Sequence, residues 1–455
     1  MPPPNYTIII VLSKHRLDLS ALEKPSNVRI YVVAPPRMLY DETNVDVYCQ
    51  VEPPITEVEH CQLFQKVREL CSAFASTQRR LVTFERNLQL AVAKIRFEMD
   101  IEGFSPDQLD TLRRIRDTSA ITRRGGLTTV RHCSLAGMPP PEQWVEVAKS
   151  HLGKYPVIIK PTRSLGNCSH SMSIVRSQDE LKSWIESRAR QGNPNVEYQL
   201  EECLEDGHEF TAICTSKHGL IGCIVSVETH RSIYECVQNQ KPYILEYYNT
   251  DQTRDLLPGL ESFVMQAIKT IFTTPTPGVF FIKGFYKGHN EIYFLGVSLE
   301  PEHDCFRNLI SFPRRSKKWE VLHIESIIES RENIETLSTN PSTYHCMLNF
   351  PAQEGIVLHQ GNINYLAETS ETRVCWRVAE GQELKDAEGP DDNALQVYMK
   401  NGTRGRLLEE AQFLLCNANI TFDRNQIEQR HSACRRNMAR LSTQKELIRS
   451  CTTTD

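Results

Sequence analysis

Three short β-branched runs open the sequence, Tyr6 to Leu12, Val28 to Val33 and Val45 to Val51, each bounded by Pro, Asn or Asp. They lack the polar alternation of a half-solvated strand. Buried strands of a partly parallel sheet read this way, because crossover segments cover both faces. The front of the chain is therefore expected to be an open α/β unit. Helical periodicity supplies the cover: Glu57 to Ala75 places Cys61, Phe64, Val67, Leu70 and Cys71 on one stripe, and Leu88 to Phe97 repeats the pattern after a short strand at Leu81 to Phe84. With 455 residues, 40% of them hydrophobic, the chain is too long for one core, so further domains follow.

From Pro106 one charged helix is predicted through Arg123, stopped by a left-handed residue at Gly125-Gly126. An amphipathic helix over Glu142 to His151 ends at Gly153. Strands at Val157 to Lys160 and Ser173 to Val175 then flank a polar loop. A helix at Gln178 to Arg188 and strands at Glu197 to Leu200, Phe210 to Thr215 and Leu220 to Val227 complete an α+β unit. Beyond a helix at Leu260 to Ile271, a hairpin joins Val279 to Tyr286 with Glu291 to Leu299, and an apolar-poor segment leads to Pro351. The last region carries strands at Ile356 to Leu358, Val374 to Val378 and Leu395 to Lys400 and a helix over Arg406 to Ala418. These patterns divide the chain into an α/β domain over 1–105, a helical connection over 106–127, and α+β units over 128–227 and 228–350. A small cap over 351–422 and a basic helical tail over 423–455 follow.

The formal charge of −5 excludes a protein whose main task is neutralising nucleic-acid phosphates. No run is long enough to span a membrane, and the apolar stretch Ile8 to Leu12 follows uncharged prolines, so it reads as a strand and not as a signal peptide. The 15 cysteines are odd in number and never spaced C-x-x-C, so neither a disulfide framework nor a zinc ribbon is expected. A reducing cytoplasm is the expected compartment. No protein partner is readable.

Chemistry concentrates after residue 156. Lys160 closes the strand Pro156-Val-Ile-Ile-Lys-Pro161, where an ammonium at a strand end can hold phosphates; alone, it reads rather as a surface lysine. The loop Thr162 to Ser171 holds Gly166, Ser169 and Ser171, donors suited to covering phosphate oxygens. Then come Glu201-Glu202-Cys203-Leu204 and Gly207-His208-Glu209. A hinge of that form offers backbone groups at Leu204 to adenine and the Glu209 carboxylate to ribose hydroxyls, with three acids in a solvated turn as the alternative. His230-Arg231 and the basic knot Arg314, Arg315, Lys317 and Lys318 read as solvated turns and loops.

The order P-x-I-I-K-P, polar flap, E-E-x-L, G-x-E, then G-V-F-F-I and a second hairpin strand resembles the ATP-grasp superfamily, over about residues 5 to 422. Ile101-Glu-Gly-Phe and Arg116-Asp117 are similar to upstream segments of biotin-carboxylase-like and amino-acid-ligase members. The segment from Gly355 to Ile420 resembles the C-terminal cap of the amino-acid ligase and carnosine synthase branch. The resemblance implies an N-terminal open α/β domain, two α+β subdomains enclosing ATP, and a cap. It also implies carboxylate–amine ligation through an acyl phosphate, with small-molecule carboxylate or amino-acid substrates and two magnesium ions drawing charge from the γ-phosphate. On it, Lys160, Gly166, Ser169, Glu201, Glu202, Leu204 and Glu209 are the nucleotide-binding residues.

One part of the pattern is missing. Where such ligases place a glutamate on the first hairpin strand and a Glu and an Asn on the second, this chain has Lys283, Gly296 and Ser298, with Glu300 in place of an arginine. Hard oxygen donors are what magnesium requires, and an ammonium repels it. No catalytic residue can therefore be assigned. Glu300, near Glu302 and Asp304, is the one substitute ligand the strand alternation offers. Two readings stay open: an ATP-dependent ligase, and a pseudo-ligase that binds nucleotide or a partner in a regulatory role.

Overall fold

The computed structural model describes residues 6–52, 62–74, 78–135, 143–162, 172–191, 197–217, 220–229, 232–272, 278–301, 318–328, 343–360, 369–389, 391–418 and 420–423. The chain divides into two units, residues 1–228 with 247–341 and residues 229–246 with 342–455.

The first unit begins with β1 (Tyr6–Val11), β2 (Val28–Ala34), β3 (Val47–Gln50) and β4 (Gln78–Thr83), parallel in the order β3-β2-β1-β4. Alternation along β1 sends Ile8 and Ile10 to one core and Ile9 and Val11 to another. That two-sided burial explains the uninterrupted apolar run. α1 (Gln62–Ala73) and α2 (Arg86–Glu98) cover one face through Phe64, Val67, Val92 and Ile95. The other face is covered by a helix at Trp319–Ile327, whose Trp319, Val321 and Ile324 are fully buried. This corrects the sequence reading, which took that stretch for apolar-poor chain.

The predicted single helix from Pro106 is two helices, α3 (Pro106–Arg113) and α4 (Ile115–Arg124), broken where Arg114 turns extended (φ −93, ψ 105). The halves bury in different directions, α3 against α2 and α4 against the later elements at Leu260–Ile271 and Glu291–Ser298, which one straight helix could not reach. Gly126, at φ 83, is the left-handed residue.

Next come β5 (His132–Ser134), α5 (Trp144–His151), β6 (Val157–Pro161), β7 (Ser173–Val175), α6 (Gln178–Gln191) and β8 (Tyr198–Glu202). The strands form an antiparallel sheet in the order β5-β8-β6-β7, with α5 and α6 packing Val145, Ala148, Leu181 and Ile185 onto one face. β9 (His208–Lys217) and β10 (Leu220–Thr229) were expected in this unit, yet β9 hydrogen-bonds along its whole length to a later strand.

α7 (Ile233–Gln238) and the start of β11 (Tyr243–Tyr248) belong to the second unit, and α8 (Thr250–Leu256) and α9 (Leu260–Ile271) to the first. The hairpin β12 (Gly278–Gly288) and β13 (Glu291–Ser298) completes a sheet segment ordered β13-β12-β9-β10. α9 seals it with Leu260, Val264, Ala267 and Ile268.

The second unit is larger than the predicted cap. β14 (Tyr344–Pro351), β15 (Gly355–Gln360), β16 (Glu371–Trp376), β17 (Glu383–Leu384), β18 (Asn393–Asn401) and β19 (Ile420–Asp423) make two sheets, ordered β11-β14-β18-β16 and β17-β15-β19. The helix Arg404–Asn417 packs Leu407, Ala411 and Leu414 on the larger one. Its Arg404 forks onto the buried Glu246 at 2.8 and 2.9 Å. The tail from residue 424 lies outside the described residues.

Candidate nucleotide site

Antiparallel register decides what each face of the β5-β8-β6-β7 sheet offers. Tyr198 and Leu200 on β8 and Val157 and Ile159 on β6 point into the helix-covered core. The opposite face therefore carries Lys160 and Ile158 from β6, Gln199 and Glu201 from β8, and His132 and Ser134 from β5, each beside its register partner.

This polar face is not self-satisfied. Lys160 Nζ donates to Glu201 Oε2, which leaves two of the three ammonium protons for other acceptors. Glu201, 2% exposed, has no hydrogen-bond partner for Oε1 among the described residues. Gln199, 0% exposed, has none for either its amide oxygen or its amide nitrogen. Leaving such groups unpaired costs about 1–3 kcal/mol each, so native folds retain them where a ligand or water completes them. Sequence reading missed Gln199. The signal was available: once Lys160 and Glu201 are placed on facing strands, alternation brings Gln199 to the same face, directly opposite Lys160.

Glu202, expected beside the nucleotide, is committed elsewhere. It accepts from Arg131 N at 2.7 Å and from Arg131 Nε at 2.8 Å, which fastens β5 to β8. Between β8 and β9 the hinge contains Leu204 and then Asp206 in a left-handed conformation (φ 60). Gly207 passes so close to the hairpin that a Cβ would stand 2.6 Å from the Tyr286 carbonyl oxygen. A glycine is needed there for close approach, and it brings Glu209, half-buried on β9, alongside Phe285. Gly166 and Ser169 lie outside the described residues, as do Glu302, Asp304, His230, Arg231, Arg314, Arg315 and Lys317. Lys318 pairs with Asp18 at 3.1 Å.

The expected metal positions come together without metal-binding chemistry. β12 and β13 pair Lys283 with Gly296 and Phe281 with Ser298, so Lys283, Gly296 and Ser298 share one face of the hairpin. Among the described residues, nothing lies within 4 Å of where a Cβ on Gly296 would be. Ser298 Oγ is engaged by the backbone of Glu300, donating to its carbonyl at 2.5 Å and accepting from its N–H at 3.2 Å. Glu300 is buried with its carboxylate 3.7 Å from Arg86 Nε. Arg113 stands behind, donating to the Arg86 carbonyl at 2.7 Å, and its guanidinium is held below the usual arginine range by burial and by Arg86. A magnesium ion would have to displace arginine from Glu300 and settle beside an ammonium. Among the described residues the donor set does not fit magnesium, and no group of three His, Cys, Asp or Glu is placed to hold any metal.

A four-stranded antiparallel sheet carrying Lys160, a hinge, and a second antiparallel sheet ending in the hairpin together define the ATP-grasp fold, and the chain has that fold. Among solved structures it is similar to the L-amino acid ligase of Bacillus licheniformis, with a TM-score of 0.64 and 13% identity over 92% of this chain and 99% of that one. It is also similar to the carboxyaminoimidazole ribonucleotide synthase of Aspergillus clavatus complexed with ATP, with a TM-score of 0.63 and 14% identity over 91% and 100%. The biotin carboxylase domain of Hydrogenobacter thermophilus 2-oxoglutarate carboxylase, solved with magnesium ADP and bicarbonate, matches at a TM-score of 0.56 and 12% identity over 92% and 91%. No protein-family model and no curated protein matches the sequence. Among the described residues, no helix is long and apolar enough to cross a membrane.

Proposed function

We propose that this chain binds an adenine nucleotide on the lid face of Lys160, Gln199 and Glu201, and that it does so as a ligase-like protein without the magnesium pair of an active ligase. The observation that carries this reading is the set of buried, uncompleted polar atoms on Gln199 and Glu201 beside the Lys160 ammonium. Lys160 would contact phosphate oxygens with its remaining donors, the Leu204 hinge would present backbone groups to the base, and Glu209 would accept from ribose hydroxyls. ATP supplies an activated phosphoryl group when bound. The ammonium of Lys283, facing Gly296, would offset nucleotide charge where a cation stands in active ligases, so the role is binding or regulation. The cysteine usage supports a cytoplasmic setting.

A second reading, ATP-dependent joining of a carboxylate to an amine, draws on the ligases that share the fold. Thermal unfolding with ATP and magnesium, with ATP and chelator, and without ligand separates the two. Equal stabilisation in both ATP arms is expected, approaching about 2.7 kcal/mol at a hundredfold excess over Kd. Lys160→Ala should weaken ATP binding about tenfold or more through loss of a charge-assisted contact. A response that requires magnesium, together with phosphate release over a panel of amino acids, would reject the regulatory reading in favour of the ligase. Should ATP fail to stabilise the protein under either condition, both readings fall.

A further inference from the structure

A cavity lies in the first unit, lined by residues of the edge strand β4, helices α2 and α3, the start of β12 and the helix Trp319–Ile327. It encloses roughly 70 Å³, about five times what one ordered water requires. Its polar end is Arg96 and His323. Arg96 Nη1 reaches only the Leu81 carbonyl, at 3.4 Å, and its buried Nε has no partner among the described residues. Among the described residues no acid ion-pairs with it, and burial brings its pKa down to about 10. The nearby Glu102 is occupied by Arg80 at 2.7 Å.

His323 contributes a directed donor. Its Nδ1 accepts from the Val279 N–H at 3.1 Å, so in the neutral ring the proton is on Nε2. Burial, and then the charge of Arg96, lowers this histidine to about 4, so it is neutral at physiological pH. Two glycines make the arrangement possible. A Cβ on Gly103 would meet Arg96 Nη1 at 2.8 Å, and one on Gly278 would meet His323 Cε1 at 2.9 Å, at backbone angles of φ +149 and +158 that side chains rarely adopt. Apart from Arg80, Thr83, Gln89 and Glu102, the rest of the lining is apolar, including Val82, Val92, Phe280, Leu299 and Ile327.

We propose that this cavity is a binding site for a small monocarboxylate with a short aliphatic tail, its carboxylate held by Arg96 and the His323 Nε2–H and its tail against the apolar wall. An uncompensated guanidinium beside a neutral N–H donor calls for an anion, and arginine matches the planar carboxylate. The apolar wall distinguishes such a ligand from a bare oxyanion. The site is independent of the nucleotide reading.

Calorimetric titration of the full chain with isobutyrate, isobutyramide, acetate and inorganic phosphate tests it. Isobutyrate should bind at least about tenfold tighter than the isosteric amide, which lacks the charge, and tighter than acetate. Equal binding of acid and amide, or of neither, overturns the proposal. Phosphate binding as tightly as isobutyrate overturns the assignment of an aliphatic carboxylate. Arg96→Gln should weaken isobutyrate about tenfold or more, and His323→Gln, whose amide oxygen can still accept from Val279, should weaken it severalfold. The response to ATP should be unchanged in both variants. If each binds isobutyrate as the parent does, the cavity is not the site. If Arg96→Gln does not fold, His323→Gln and the acid-to-amide ratio in the parent protein decide the outcome.

Discussion

Glu85→Ala should destabilise the first unit by about 3–5 kcal/mol, the largest single-residue effect expected outside the apolar cores. Glu85 is buried at the end of the segment that follows β4, and its carboxylate fills a backbone nest just beyond β1. Oε1 accepts from the N–H groups of Ser13, Lys14 (2.8 Å) and His15 (2.9 Å), and Oε2 accepts from Ser13 Oγ. Alanine would leave these donors facing a small void, while glutamine would keep one acceptor and cost about half as much. Hydrogen exchange of the β1 and β2 amides is the measurement, and protection in Glu85→Ala equal to that of the parent would refute the assignment. The nest has a functional side. In open α/β sheets the turn after the first strand is where ligand phosphates commonly settle, and here the protein's own carboxylate occupies it.

Acidification should cost nearly as much over a narrow window. His323 in the first unit and His345 in the second are both lowered to about 4, His323 by burial and then Arg96, His345 by burial and then Lys400, with Glu371 opposing. Unfolded, each titrates near the ordinary histidine value of about 6.5. Between pH 6.5 and 4 the unfolded chain therefore binds more protons than the folded one, so stability rises with pH across that window and is fully present above it. On acidification from pH 7 toward 4, up to roughly 3 kcal/mol is lost for each histidine. Urea unfolding followed from pH 7.5 to 4.5 should show the midpoint falling as soon as the pH drops below about 6.5, with His345→Leu removing the second unit's share. A midpoint that does not move over that range would contradict the burial of both rings.

The two effects report on different kinds of legibility. The Lys160 strand, the hinge glycine and the hairpin carrying Lys283, Gly296 and Ser298 were readable because each depends on neighbours within a few residues: strand alternation, a tight turn, a close approach. The observed register, Lys283 opposite Gly296, agrees with that reading. The helix Trp319–Ile327 was not readable as a helix, because burial on nearly every side removes the amphipathic period by which a helix is recognised. Gln199 was overlooked because its importance comes from the strand it faces. The pairing of Glu202 with Arg131 was not readable because Arg131 lies 71 positions earlier in the chain, just before β5.

The sequence by itself determined the parallel α/β front, the lysine at the end of β6 and the absence of carboxylates at Lys283, Gly296 and Ser298 of the hairpin. These follow from local periodicity and residue chemistry, which need no knowledge of distant contacts. Only the tertiary structure decided that β9 joins β12 and not the lid sheet, that Glu300 answers to Arg86, and that Arg96 and His323 meet across a cavity. Such pairings are settled by which burial and hydrogen-bond arrangement is lowest in free energy for the whole chain, a sum that no short window of residues contains.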